Sequence, residues 1–150
     1  MTGKSFQFSL ESVLRLRKHE TETARRQLER IAAMRQSAEM CVAEAERVLN
    51  DHMSRPLAGG SLGPEAFRRH ASYRAEARTK LDEARRRVDE LARTEEEARK
   101  RLVERSRDEE SLQQLYDDER MEHIAEQDAA EAAFLDEQAI TGYNRRSVRA

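Results

Sequence analysis

Four histidines, one cysteine and two arginine-rich runs are the side chains of this chain with the most chemistry in them. They are His19, His52, His70, His123, Cys41, Arg85-Arg86-Arg87 and Arg99-Lys100-Arg101. His123 lies four residues after Glu119 and three before Glu126, a spacing that puts all three on one helix face, where a metal ion could sit. No second histidine or cysteine joins them, so no metal is expected. Cys41 is alone and can form no disulfide within the chain, which fits a reducing compartment. No Cys/His or Ser/His/Asp set carries a local signature of nucleophilic catalysis. Gly59-Gly60 and Gly63 lack the Lys-Ser/Thr that completes a phosphate-binding loop, and they read as a turn. The chain is expected to be no enzyme and to hold no cofactor. Both basic runs have acids beside them and no interleaved aromatics, so no nucleic-acid partner is expected either.

If no pocket chemistry is on offer, function should lie on outer faces, and composition says what kind of faces. The 150 residues are 39% charged and 5% aromatic, with no Trp. This is the blend of a coiled coil rather than of a globule with a thick core. The net charge of −2 hides an asymmetry. Residues 1–53 carry 9 basic and 8 acidic groups, 54–107 carry 15 and 10, and 108–150 carry 4 and 12. A basic middle and an acidic end suggest polarised docking. Phe6, Phe8 and Leu10 alternate with polar residues, unlike the apolar core of a secretory signal. No apolar run is long enough for a transmembrane segment.

The elements that must present these faces are two helical runs on either side of one breaker, Ser54 to Pro64, which holds both prolines with Gly59, Gly60 and Gly63. The pattern predicts an extended N-terminus at 1–9, helix 1 at 10–53, a turn at 54–63, helix 2 at 64–141 and a flexible basic tail at 142–150. Ser9 is the expected N-cap, with Phe8 and Val13 as a hydrophobic staple and Glu11 in the first turn, where the helix dipole favours an anion. Heptad a positions fall at Leu14, Thr21, Leu28, Arg35, Val42 and Leu49. The d positions are Leu10, Arg17, Ala24, Ile31, Ala38, Ala45 and His52. Pro64 suits the first position of helix 2. Its seam runs through Leu81, Ala84, Val88, Leu91, Glu95, Ala98, Leu102, Arg105, Glu109, Leu112 and Tyr116. Gly142 is the expected left-handed residue that stops it.

The fold class expected is all-α, a two-helix antiparallel coiled-coil hairpin with a longer second helix and a single domain. A fold-back centred on Gly59–Gly60 sets Leu28 opposite Leu91, Ile31 opposite Val88 and Ala38 opposite Leu81. It also sets Arg17 near Leu102 and Leu10 near Glu109. The arms would be roughly 66 Å and roughly 115 Å long, leaving about 30 residues of the second without a partner in the chain. Those residues fall in the acidic segment, where 108–138 hold 12 acids and the one base Arg120.

The N-terminal run Phe6-x-Phe8-x-Leu10-x-x-Val13-Leu14-x-x-Arg17-x-x-Glu20 resembles the opening of the FliJ family of flagellar export proteins. The segment from Glu131 through Leu135-Asp136-Glu137 to Arg145-Arg146 resembles that family's closing segment. The resemblance implies a fold similar to the central stalk of rotary ATPases. It also implies a place in the flagellar type III export apparatus as a stalk and export chaperone serving motility. The implied partners are the ring of the export ATPase, the cytosolic domain of the membrane export gate, and substrate chaperones. The implied location is cytoplasmic, peripheral to the inner face of the cell membrane. On this resemblance the hairpin end, with Val42, Leu49, Phe67 and Tyr73, meets the gate. The far end, with Phe6, Phe8, Leu10, Leu112, Tyr116, Phe134 and Ile140, meets the ATPase ring. The chain departs from the family's usual pattern in offering only Phe67 and Tyr73 as aromatics on arm 2 near the fold-back, and in carrying acids at 117–137 where lysine is usual. The alternatives are a generic coiled-coil adaptor or tether in another complex, and a nucleic-acid-binding helical arm.

Overall fold

A computed structural model describes residues 5–55 and 63–147, with side chains through Tyr143. Expectations placed on 1–4, 56–62 and 148–150 lie outside the described residues. Within them the chain forms two helices, α1 (Glu11–Ser54) and α2 (Pro64–Ser147). Both are rich in Ala, Leu, Arg and Glu, which lose little freedom on entering a helix. The fold is an all-α, two-helix antiparallel hairpin whose second helix is the longer.

Local chemistry sets the helix ends. α1 begins with Glu11, and the Leu10 carbonyl accepts the first intrahelical bond from the Leu14 N–H at 2.9 Å. Leu10, not Ser9, is therefore the capping position. Ser9 lies in the preceding turn, where the Glu11 N–H donates to the Phe8 carbonyl at 3.3 Å. At the other end the Ser54 hydroxyl donates to the Asn50 carbonyl at 2.7 Å and the Arg55 N–H to the Asp51 carbonyl at 3.2 Å. α2 opens with Pro64, whose missing N–H costs nothing in a first turn. The Gly63 carbonyl caps it by accepting the N–H groups of Ala66 at 3.0 Å and Phe67 at 3.4 Å.

Gly142 does not stop α2, which continues to Ser147. The glycine keeps a backbone conformation open to other residues. A helical glycine costs about 1 kcal/mol relative to alanine, a penalty that weakens a helix without ending it.

The chain divides into two compact units. Unit 1 comprises Met1–Thr21 and Arg105–Ala150. There Arg17 lies 3.7 Å from Asp108, and Glu20 lies 3.0 Å from Arg105. As α1 is followed backwards α2 is followed forwards, so the pairing is antiparallel. The buried Thr21 hydroxyl is shared between the carbonyls of Arg17 at 3.0 Å and Arg105 at 3.2 Å, tying one helix to the other. Unit 2 comprises Glu22–Glu104 and is antiparallel on its own evidence. Arg35 lies 3.3 Å from Glu95, Glu46 lies 2.8 Å from Arg85, and the ring of His52 stacks on that of Tyr73.

The α1 heptad places every a and d side chain in the seam, Leu14 and Thr21 buried and the rest half-buried. On α2 the residues Ala77, Leu81, Leu91, Glu95 and Ala98 are buried. Ala84, Val88, Leu102, Glu109, Leu112 and Tyr116 are half-buried. Arg105 departs from the pattern. It is exposed and reaches Glu20, while Ser106 takes the inner position. Each buried leucine contributes roughly 1.5–3 kcal/mol relative to exposure.

The register differs from a fold-back centred on Gly59–Gly60. Arg17 pairs with Asp108 rather than lying near Leu102, and the N-terminal segment reaches Tyr116 rather than Glu109. In unit 2, Arg35 pairs with Glu95, although setting Ile31 opposite Val88 and Ala38 opposite Leu81 would put it between Leu81 and Val88, and the His52 ring stacks on Tyr73. The cause is the separation of two determinants. Pro64 and the Gly63 carbonyl fix where α2 begins, whereas ion pairs and seam residues fix where it pairs. The first turns of α2 therefore precede its paired stretch.

Candidate interaction surfaces

In unit 2 the surface of interest lies where α1 ends and α2 begins. Val42 and Leu49, expected at a docking surface, are half-buried seam residues. Phe67 and Tyr73 point outward, 61% and 57% exposed. Tyr73 is held by a parallel stack on His52, with ring centroids 6.3 Å apart. Phe67 sits in the first turn of α2, ahead of the paired stretch. Met40 and Met53 add exposed apolar surface that heptad counting had not singled out, because both fall outside a and d positions. An open groove of about 580 Å³ runs beside the seam, lined by Met40, Cys41, Ala45, Val48, Ala77 and Ala84. It exists because alanine fills layers where a thicker coil would carry leucine. Its rim is charged but paired. A bidentate hydrogen bond from Arg47 to Glu44, at 2.7 and 3.0 Å, holds the Glu44 carboxyl below its ordinary pKa. Lys80 does the same to Glu76 at 2.8 Å.

Unit 1 gathers a different set. The rings of Phe6 and Phe8 meet Tyr116 edge-on, at centroid distances of 5.5 and 5.2 Å. Phe6 also lies 5.6 Å from the His123 ring, and the His123 and Gln127 side chains approach to 3.0 Å. Such edge-to-face pairs add roughly 0.5–1.5 kcal/mol each beyond burial. Phe8 is buried and packs on Tyr116, while Val13, its expected staple partner, is 37% exposed. Leu10 and Leu112 are half-buried. Of the residues expected at this end, the structure thus joins Phe6, Phe8 and Tyr116 in one packed cluster. Phe134 and Ile140 stand apart from it further along α2, 39% and 62% exposed. From Ile124 to Thr141 every side chain is exposed. Met121, Leu135 and Tyr143 are exposed here as well and were not among the expected contacts; separations of 14 and 8 residues, close to whole numbers of helical turns, are the signal that finds them.

Among the described residues no group of three His, Cys, Asp or Glu side chains is placed to hold a metal ion, and no helix is long and apolar enough to cross a membrane. What the two surfaces define is a helical hairpin equipped for contact, with outward apolar side chains flanked by charge. The family described as "Flagellar FliJ protein" matches residues 6–147, nearly the whole chain. The chain belongs to the FliJ family and is thereby a component of flagellar protein export. Comparison with curated proteins and with solved structures gave no match.

Proposed function

We propose that this chain is a non-catalytic stalk and chaperone of the flagellar type III export apparatus. It links the export ATPase ring to the cytosolic domain of the membrane export gate and assists the export of flagellar substrates. The fold-back surface, with Phe67 and Tyr73 on α2 and Val42 and Leu49 on α1, meets the gate. The far end, with the packed rings of Phe6, Phe8 and Tyr116, the half-buried Leu10 and Leu112, and Phe134 and Ile140 exposed further along α2, meets the ATPase ring. Substrate chaperones are further partners, and the protein works at the cytoplasmic face of the cell membrane. One observation carries the reading. Along α2 from Ile124 to Thr141 the side chains are exposed, yet they include Ile124, Phe134, Leu135 and Ile140. A run of large apolar groups on a solvated helix marks a contact surface. Its acidic residues suit a basic receptor. The assignment of each surface to its partner rests on the family.

The test is a pair of variants. Phe67→Ala with Tyr73→Ala weakens binding to the gate's cytosolic domain and spares ATPase binding. Deletion of residues 112–150 does the reverse. A fold-back variant that binds the gate normally and loses the ATPase would reverse this polarity.

A further inference from the structure

Along α2 in unit 1, the side of the helix that meets the N-terminal segment is marked by Tyr116 and His123, whose rings contact Phe6 and Phe8. At 3.6 residues per turn, Met121 lies about 140° round the helix from Tyr116 and about 160° from His123, on nearly the opposite side. Ala132, Ala139 and Tyr143 fall within about 40° of Met121 by the same geometry, and Ile124 and Leu135 within about 60° on its other flank. All are exposed, Met121 at 65%, Leu135 at 57% and Tyr143 at 74%. The line followed by Tyr116 and His123, extended along the helix, passes only Ala130 and Phe134 as apolar residues. The apolar stripe of this stretch is therefore not a continuation of the hairpin seam. It is a second seam on the back of α2.

The second seam has one charged position. Asp128 lies about 20° from the stripe's centre, between the Ile124 and Ala132 layers. Glu131 and Asp136 flank it. A helix packed onto this stripe would cover the Asp128 carboxylate, and a covered carboxylate without a counter-charge is strongly unfavourable. The occupant must therefore bring a cation to that layer. A second copy of the same stripe would set Asp128, Glu131 and Asp136 against like charges in most registers.

We propose that the back of α2, centred on Met121, Leu135, Ala139 and Tyr143, receives one amphipathic helix of the partner. That helix carries a Lys or Arg facing Asp128 and basic residues at its flanks. The proposal rests on the reading that this end meets the export ATPase, and it specifies the face used and the chemistry that face requires.

The full-length chain, labelled at the exposed Cys41, is titrated with the export ATPase while circular dichroism confirms unchanged helicity. Leu135→Glu with Tyr143→Glu weakens binding about tenfold or more, because it puts charge at the centre of the contact. Ala130→Glu with Thr141→Glu, both about 160–180° round the helix from Met121, changes it less than about twofold, as surface changes away from a contact do. Asp128→Lys weakens it about tenfold with the stripe intact, by opposing the partner's cation. If the Ala130/Thr141 pair loses binding and the Leu135/Tyr143 pair keeps it, the face is wrong. If both pairs, or Asp128→Lys, bind as the parent does although deletion of 124–150 abolishes binding, this proposal falls and the ATPase reading stands. Unchanged binding after that deletion overturns both. A dimer of the free chain that Leu135→Glu dissociates would identify a second copy as the occupant and overturn the choice of partner.

Discussion

Leu91 and Leu135 are the same residue on the same helix, in runs with the same three-and-four spacing, yet Leu91 is 6% exposed and Leu135 is 57% exposed. Around Leu91 in unit 2 the stripe of Ala77, Leu81, Leu91 and Ala98 is closed by α1. Around Leu135 in unit 1 the stripe is open. Periodicity thus specifies a surface that can pair, and pairing itself depends on whether a complementary helix is present. The polar positions divide the same way. Glu95, inside the closed seam, has Arg35 and Arg99 each at 3.3 Å, while Asp128, inside the open one, is exposed.

The largest effect expected from this contrast is on stability. Leu91→Ala removes a buried side chain from a thin seam, at a cost near the lower end of the roughly 2–5 kcal/mol typical of such truncations. Leu135→Ala removes an exposed one and stays within about 0.5 kcal/mol. Urea unfolding of the two variants, followed by helicity, checks both values. Equal losses would mean that the outer stripe is covered in the free protein and would remove the contrast.

The next effect is smaller and has the opposite sign. Glu95 is nearly buried, and its Oε2 lies 3.3 Å from Arg35 Nε outside hydrogen-bonding geometry, so the carboxylate is incompletely satisfied. Arg35 and Arg99 are 40% and 61% exposed, and Arg35 keeps Glu39 at 3.3 Å. Removing Glu95 therefore strands no buried cation. Glu95→Leu should stabilise the hairpin by about 1 kcal/mol, since an apolar residue in place of a buried ion pair is often neutral or better. A higher melting temperature is the expected readout. A loss of more than about 1 kcal/mol would show that the ion pair adds net stability to the seam besides selecting its register.

That alternative bears on what the sequence made legible. The seam was readable because it depends on residue type at each position. Leu14, Thr21, Leu28 and Ile31 on α1, and Leu81, Leu91 and Ala98 on α2, lie where heptad counting puts them. The register was not readable, because alanine-rich layers pack about equally well after a one-heptad slip. What selects one register is the set Arg17–Asp108, Glu20–Arg105, Arg35–Glu95 and Glu46–Arg85, and charge is too abundant in this chain for those pairs to stand out beforehand. Of the expected surfaces, Phe67, Tyr73, Phe134 and Ile140 were legible as exposed apolar groups. Phe8 was not legible as a buried one, since its partner Tyr116 is distant in sequence. A seam followed in a single phase along α2 does not reach the outer stripe, because this second stripe begins on the back of the helix before the first has ended.

The smallest expected effect separates local helix stabilisation from pairing between helices. Glu44 and Glu76 are exposed, and both have lowered pKa values, chiefly through hydrogen bonds from Arg47 and Lys80 one turn away on the same helix. A carboxylate whose folded pKa lies below its unfolded value stabilises the fold fully above the unfolded value. That contribution is lost as the pH falls through the lowered folded value. Stability should therefore be insensitive to these two groups near neutrality and decline slightly on acidification below the ordinary glutamate range. Carboxyl NMR titration should place both midpoints below those of ordinary glutamates. Arg47→Ala should return Glu44 to the ordinary range, and Lys80→Ala should return Glu76. Because the partners share a helix, Leu91→Ala should leave both lowered values in place for as long as the helices persist. If Glu44 moves upward when the seam is weakened at Leu91, its hydrogen bond with Arg47 depends on α2. Isolated helix chemistry and seam pairing would then be coupled where the structure keeps them apart.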